Sequence, residues 1–426
     1  MVRFAGIKDD YIRVITDESF NGNDLLVIQI PEEFDHLTSS DLILNCRFIN
    51  GELKHKKCIK QVKDIKLALV GNWKMKCGIS TYSENLWGEI VNHIDNFKLF
   101  IEENDSPTGD IHLIGNKVMS DEQVVSCWKR GESLKNLIIE IKKYNPDVIL
   151  IQHEFGLWSN ACYWLSLMNQ LSDYKIIVTM HSVYHHKDKT ICEAAIPNIV
   201  THLQGGYDVL KNEKEIPGNV YVIPHGCNSY DDSKLWNFYK SDKTFMQFGF
   251  GFRYKGWENS IRTAALLKKK YPDVFFTGLF SESSFNSIEH QMYYAELMKL
   301  IDELDVQENV AIIRGYQSDS TLDSYLRTNR ATIFPYVSHP LHEVFGASGA
   351  ARFAMARGLP VITSNINHFS DLNTIKADTP EQMAFELDKL FCDEALIKKQ
   401  VELQKVYVEE NSWKKVALKY LEIFKS

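Results

Sequence analysis

Residues 66–72 read KLALVGN, and this stretch decides the fold. Its apolar run is unbroken by polar alternates, which predicts a strand buried on both faces rather than one with a wet side. A Gly-containing loop follows, and then a helix-like segment over 81–94. Residues 148–152 (VILIQ) and 175–180 (KIIVTM) repeat the pattern, each followed directly by a histidine, with helical stretches such as 134–144 between them. Strand runs alternating with helices imply parallel βαβ units and a doubly wound sheet. The block closes near 221–224 (YVIP).

A second block of the same kind starts near residue 245. Its predicted strands are 246–250, 274–278, 310–313, 331–334 and 360–363, with helices including 260–270, 290–304 and 348–357. The chain ends in SWKKVALKYLEIF, residues 412–424, where Trp413, Val416, Ala417, Tyr420, Leu421 and Phe424 fall at helical spacing. The simplest architecture is two Rossmann-like domains facing a cleft, with ligands outside the carboxyl ends of the strands. Upstream, 11–16 and 25–30 read as short strands, and 42–49 and 52–55 flank the hairpin signal Asn50-Gly51. The expected organisation is therefore a small β-rich module at 1–62, one Rossmann-like domain at 63–240, a second at 241–405, and a helix at 406–426 packing back across the domains.

The composition is that of an ordinary globular chain. Of 426 residues 44 % are hydrophobic and 24 % charged, which excludes global disorder. The formal net charge of −8 argues against a wholly basic nucleic-acid coat. No uncharged run approaches the ~18–20 apolar residues of a membrane helix, and the charged N-terminus does not read as a signal peptide. The eight cysteines are scattered without a CxxC pair, which argues against a zinc site or a disulfide scaffold and fits a reducing cytoplasm.

Four stretches carry candidate chemistry. In 72–83 (NWKMKCGISTYS), Gly78 beside a helix start lets backbone amides approach an anion; the plain alternative is a βα turn. Neither GxGxxG nor a Walker A motif is present, so dinucleotide and P-loop sites drop out. His153 and His181 both follow predicted strands on the ligand edge, where hydrogen-bonded structural histidines are also common. His185, His186 and His202 lack such placement and read as surface or packing residues. In 248–258 (FGFGFRYKGWE), Arg253 and Lys255 lie two apart, so an extended backbone would aim both at one phosphate; the alternative is a solvated basic turn. In 342–360 (HEVFGASGAARFAMARGLP), Gly346, Ser348 and Gly349 leave amides open at a helix start, and Glu343 is placed for sugar hydroxyls; the alternative is small residues that let the helix pack against the sheet.

In this order the segments resemble the retaining glycosyltransferases of family 4, of the GT-B fold, and in particular a branch with GASGA-type loops. The matching text is CGIS, QHEFG (152–156), TMHS (179–182), IPHG (223–226), FGFRYKG (250–256), Glu343 with FGASGA, AMARGLPVITS (354–364) and the closing SW…VA…Y helix. The resemblance covers about residues 66–426. It implies a nucleotide-sugar donor, UDP- or GDP-linked, as substrate, with no metal and no other cofactor. It places Gly78 and Ile79 near the donor diphosphate and His181 beside the transferring sugar. Arg253 and Lys255 would neutralise the leaving group, and Glu343 would hold the donor sugar. Gly346, Ala347, Ser348, Gly349 and Ala350 would form the phosphate loop, while His153, Glu154 and Tyr82 are acceptor-side candidates. The family often carries a second, ribose-binding glutamate; counting on from Glu343 reaches Ala351 or, aligning on AMARG, Phe353, and neither is acidic.

Residues 52–66 (ELKHKKCIKQVKDIK) hold six lysines against two acids. They read as a solvated hairpin and linker, or as a contact for an anionic acceptor. Some bacteriophages encode glycosyltransferases that decorate hydroxymethylated DNA bases, and the Lys-, Asn- and Ile-rich text would suit such an origin. The expected acceptor is accordingly a glycan or modified DNA. The alternative from another class is an inactive GT-B scaffold that binds carbohydrate or a partner.

Overall fold

The computed structural model describes residues 61–187, 189–230, 243–282, 287–338 and 343–425, together with the backbone of five strands within 2–55. The chain divides into two compact units, Met1–Asp64 and Ile65–Ser426. In the first unit Val2–Lys8, Tyr11–Thr16 and Leu25–Gln29 form an antiparallel sheet. Cys46–Ile49 pairs with Glu52–His55 as a hairpin. The Asn50-Gly51 turn itself lies outside the described residues, as do 42–45 and the lysines of 56–60.

The second unit contains two parallel sheets. The first joins β1 (Lys66–Gly71), β2 (Asn96–Glu102), β3 (Val124–Trp128), β4 (Val148–His153), β5 (Lys175–Met180), β6 (Asn198–Thr201) and β7 (Asn219–Val222). Their order is β3-β2-β1-β4-β5-β6-β7, all parallel. The second joins β8 (Thr244–Phe250), β9 (Phe275–Ser281), β10 (Val310–Arg314), β11 (Ala331–Phe334), β12 (Val361–Thr363) and β13 (Ile375–Lys376) in the order β10-β9-β8-β11-β12-β13. Again every pairing is parallel. Each sheet reverses its strand order once, between β1 and β4 and between β8 and β11. Those switch points are where such sheets open a ligand crevice.

The helices of eight or more residues are α1 (Gly78–Ile90), α2 (Lys135–Tyr144), α3 (Ala161–Gln170), α4 (Trp257–Lys268), α5 (Ser287–Glu303), α6 (Asp319–Leu326), α7 (Gly349–Ala356), α8 (Pro380–Cys392), α9 (Glu394–Glu410) and α10 (Trp413–Lys425). The strands read as apolar because both faces are covered: Leu67, Leu69, Val148, Leu150, Ile177 and Val178 are wholly buried. The predicted helix 81–94 starts and ends earlier, as α1, because its first turn begins at Gly78 directly after the Cys77 cap position. The sequence reading missed β2, β3, β6 and the two-residue β13. Their alternating or short text, such as NFKLFIE, lacks the unbroken apolar run that marked β1, β4 and β5.

The closing helix α10 packs against α1 and the first sheet. Tyr420 Oη bonds Tyr82 Oη at 3.1 Å and Thr179 Oγ1 at 2.9 Å, and Lys175 Nζ donates to the Phe424 carbonyl at 3.1 Å. Its predecessor α9 stays on the second sheet, where Gln404 bonds Val361 and Leu359. The α9–α10 junction thus carries the chain back from one sheet to the other. A second tie is a two-residue ladder in which Val183 faces Phe345 and Tyr184 faces Val344, antiparallel. Phe345 can lie there because residue 205 is glycine; a Cβ would stand 2.2 Å from its ring.

Candidate active site in the cleft between two switch points

A cleft of about 1370 Å³ lies between the two sheets, larger than the roughly 300–1,000 Å³ of common small-ligand sites. The loops after β1, β4, β8 and β11, which flank both switch points, deliver Gly78, Glu154, Lys255 and Tyr336 to its wall.

The loop after β8 makes a single 3₁₀ turn, Arg253–Lys255, and closes on Gly256 at φ 64°. Glycine is required twice over there: the left-handed backbone disfavours a side chain, and a Cβ would stand 2.0 Å from the Pro335 carbonyl oxygen. The turn overturns the expected pairing of Arg253 with Lys255. Residues two apart share a side in a strand but diverge in a 3₁₀ turn. Lys255 turns inward, 9 % exposed, and its Nζ donates to Tyr336 Oη at 2.6 Å. Arg253 turns outward to α5, where Glu289 and both oxygens of Glu296 each accept from its guanidinium at 2.7 Å. Arg253 therefore does not line the cleft.

Helix α7 points its N-terminus into the cleft. Ser348 is the cap, its Oγ accepting from the Ala351 amide and sharing a hydrogen with Tyr336 Oη at 3.1 Å. The amides of Gly349 and Ala350 belong to the first helical turn and have no partner within the helix. Behind them the buried Arg352 clamps Asp371 and donates to the Ser348 carbonyl at 2.9 Å, holding the cap in place. Gly346, Ala347, Ser348, Gly349 and Ala350 all line the cleft, with Gly78 and Ile79 of α1. Phe353 lines it as well, with the Arg357 guanidinium 3.7 Å above its ring, whereas Ala351 is buried. An aromatic ring, not an acid, walls this part of the cleft.

The two strand-end histidines part company. His181 lines the cleft and its Nε2 lies 2.9 Å from Gln152 Oε1, which as an acceptor assigns the proton to Nε2. Burial, and then His202 and His153, hold its pKa well below the usual value, so it is neutral. His153 does not reach the cleft. It packs edge-on against Phe155 and Trp164, and burial alone drives its pKa down to about 3. This is a packed core imidazole, not an acceptor contact. Of the other acceptor-side candidates, Glu154 lines the cleft and accepts from Ser182 Oγ at 2.7 Å, its pKa raised by burial. Tyr82 lines it too, its ring lying 4.6–5.1 Å from those of His181, His202, His225 and Trp413.

Glu343 lines the cleft beside the inter-sheet ladder. It accepts from His185 Nε2 at 3.1 Å and from Asn367 Nδ2 at 2.7 Å. His185 and His186, read as surface or packing residues, both line the cleft, and His202 packs edge-on against His181. The sequence offered no signal for them, because only the ladder at 183–184 brings that loop against 343–345. Tyr336 was missed for a similar reason: it lies two residues beyond β11, and nothing local marks its contact with Lys255. Among the described residues no group of three or more His, Cys, Asp or Glu is arranged to hold a metal ion, and no helix is long and apolar enough to cross a membrane.

Two facing Rossmann-like domains with the ligand cleft between them define the GT-B architecture. Residues 230–402 match the family model of glycosyl transferases group 1. Among solved structures, a glycosyltransferase from Rickettsia africae ESF-5 is similar at TM-score 0.64 and 17 % identity, over 85 % of this chain and 98 % of that one. HepE from Anabaena in complex with UDP is similar at 0.63 and 11 %, over 84 % and 99 %. An α,α-trehalose-phosphate synthase (UDP-forming) from Burkholderia xenovorans in complex with glucose-6-phosphate is similar at 0.64 and 11 %, over 85 % and 100 %. No curated protein matches the sequence. At these identities the structures speak for the fold, and the family match supports glycosyl transfer from a nucleotide sugar as the class of reaction.

Proposed function

We propose that the chain is a retaining glycosyltransferase whose nucleotide-sugar donor, UDP- or GDP-linked, seats its diphosphate on the N-terminus of α7. The observation that carries this reading is that Tyr336 joins Lys255 Nζ to the Ser348 cap at the N-terminus of α7, in a cleft that Gly349, Ala350, Gly78 and Ile79 also line. As the bond from the sugar to the diphosphate breaks, negative charge gathers on the departing oxygen. A buried cation and fixed amides meet that charge without reorganising, so Lys255 and α7 take the part a metal ion plays elsewhere.

Glu343, fixed by His185 and Asn367, holds hydroxyls of the donor sugar. His181 lies beside that sugar and, with Nε2–H given to Gln152, offers Nδ1 as an acceptor. The acceptor hydroxyl, of a glycan or of a hydroxymethylated DNA base, enters from the side of Glu154 and Tyr82. A thermal-shift panel of UDP, GDP, ADP and their sugar conjugates tests the donor site, since a ligand of the folded state raises Tm. One nucleotide series should shift Tm in the wild type and not in Lys255→Ala. The anomeric configuration of the transferred sugar, read by NMR, then tests retention. No shift with any nucleotide would overturn the donor site.

A second reading, a scaffold that binds without transferring, draws on Arg253 being engaged at α5 and on Phe353 replacing an acid. Such a scaffold binds carbohydrate or a partner, and it requires neither transfer nor donor hydrolysis in the presence of nucleotide sugars.

A further inference from the structure

His225 follows β7 in the connection between the two sheets and lines the cleft. Its Nδ1 stands 2.7 Å from the Gly226 carbonyl oxygen. A carbonyl only accepts, so Nδ1 carries the hydrogen, and in the neutral ring Nε2 holds a lone pair. The Nε2–Cε1 edge of the ring lies beside the first residue of α7: a Cβ on Gly349 would stand 3.3 Å from Nε2 and 3.4 Å from Cε1. Among the described residues no hydrogen bond reaches Nε2.

The surroundings keep the ring neutral while the cleft is empty. Tyr82 on α1, His202 after β6 and Trp413 on α10 pack their rings at centroid distances of 5.1, 5.6 and 5.3 Å. His181 after β5 and Arg352 on α7 act through space. Burial first, then Arg352, His202 and His181, hold the imidazole well below its usual pKa, with the Gly226 carbonyl as the opposing influence. A neutral His225 thus sets a lone pair beside the seat proposed above for an anion. Lone pair and phosphate oxygen repel, whereas a proton on Nε2 would convert the contact into a charge-assisted hydrogen bond, a stronger kind than a neutral one.

We infer that His225 takes up one proton from solvent as a nucleotide sugar docks, its Nε2–H then donating to the diphosphate. The inference rests on the reading that the α7 N-terminus receives that diphosphate. The proton comes from water or buffer and returns to it when the nucleotide leaves, so turnover is balanced. His225 thereby makes affinity for an anionic donor depend on pH and disfavours an uncharged ligand at the same place.

Calorimetric titration with UDP-glucose and with GDP-mannose, each at pH 7 in buffers of low and high ionisation enthalpy, tests this directly. A diphosphate esterified at both ends does not itself titrate near neutrality, so a proton taken up is taken up by the protein. The expected result is an uptake approaching one proton, with affinity rising up to about tenfold for each unit the pH is lowered across the uptake range. His225→Gln should still bind and should lose the buffer dependence, while His181→Gln should keep it. Binding with buffer-independent heats in the wild type overturns the inference and leaves the donor site standing. Uptake that survives in His225→Gln, or disappears only in His181→Gln, also overturns it. Failure of both nucleotide sugars to bind overturns the inference and the donor-site reading together.

Discussion

Lys255 Nζ donates to Tyr336 Oη at 2.6 Å, and the same hydroxyl meets the Ser348 cap of α7 at 3.1 Å. One tyrosine thus aligns the cation and the helix end that would share a diphosphate. Tyr336→Phe should leave buried Lys255 without this partner and lower stability by about 1–3 kcal/mol, read from urea midpoints. The donor supplies a replacement partner, so a nucleotide-induced Tm shift should survive in Tyr336→Phe and vanish in Lys255→Ala. Loss of the shift in both variants would count against a separate role for the lysine.

Arg253 offers the opposite test. Its guanidinium is held by Glu289 and Glu296 on an exposed face of α5, where ion pairs contribute about 0–1 kcal/mol. Arg253→Ala should change stability by less than about 1 kcal/mol and leave transfer near wild type. A collapse of kcat would return Arg253 to the donor site.

His185 bridges Glu213 and Glu343 at 2.7 and 3.1 Å. The Glu213 hydrogen bond raises its pKa, burial opposes it, and Glu343 adds to the rise, so that the net direction is upward. For a raised histidine the contribution to stability is fully present below the unfolded value near 6.5 and is lost as pH rises through the folded value. The side chain is 40 % exposed, so the effect is modest and salt-sensitive. The difference in Tm between wild type and His185→Gln should therefore shrink from pH 6 to pH 8. A difference independent of pH would refute the charged bridge.

His153 has the reverse sign. Its pKa falls from 6.5 to about 3 through burial. The unfolded chain therefore takes a proton that the folded chain refuses. Stability is complete above 6.5 and is lost as pH drops toward 3. At pH 5 that single group accounts for about 2 kcal/mol. His153→Phe, with a ring to sit against Phe155 and Trp164, should lose about that much less stability between pH 7 and pH 5 in urea titrations. It should also keep turnover, because the ring does not reach the cleft.

The parallel architecture was legible because strands buried on both faces must be apolar along their length. KLALVG, VILIQH and KIIVTM could scarcely be anything else. The strands β2, β3, β6 and β13 escaped because their shorter or mixed text carries no such constraint. The small-residue approach to α7 at 346–350 was legible for a related reason: small residues before a helix leave amides uncovered, and that is a local property. Local sequence was also enough for Gly78 and Lys255 to be singled out.

Orientation and long-range partnership were decided elsewhere. Whether Arg253 and Lys255 face together depends on the 3₁₀ turn, and that turn depends on Gly256 meeting Pro335, the residue after β11. Whether a strand-end histidine is core or cleft depends on what packs over it, Phe155 and Trp164 for His153, Gln152 and Tyr82 for His181. The contacts of Glu343 with His185, and of Lys255 with Tyr336, join residues 158 and 81 positions apart. The sequence sufficed for the unbroken apolar strands β1, β4 and β5 and for the open start of α7, since burial and backbone access there are written in the side chains of one short stretch. Which side chains meet at the cleft was decided only by the tertiary structure, because those contacts are set by turns, ladders and packing partners far away along the chain.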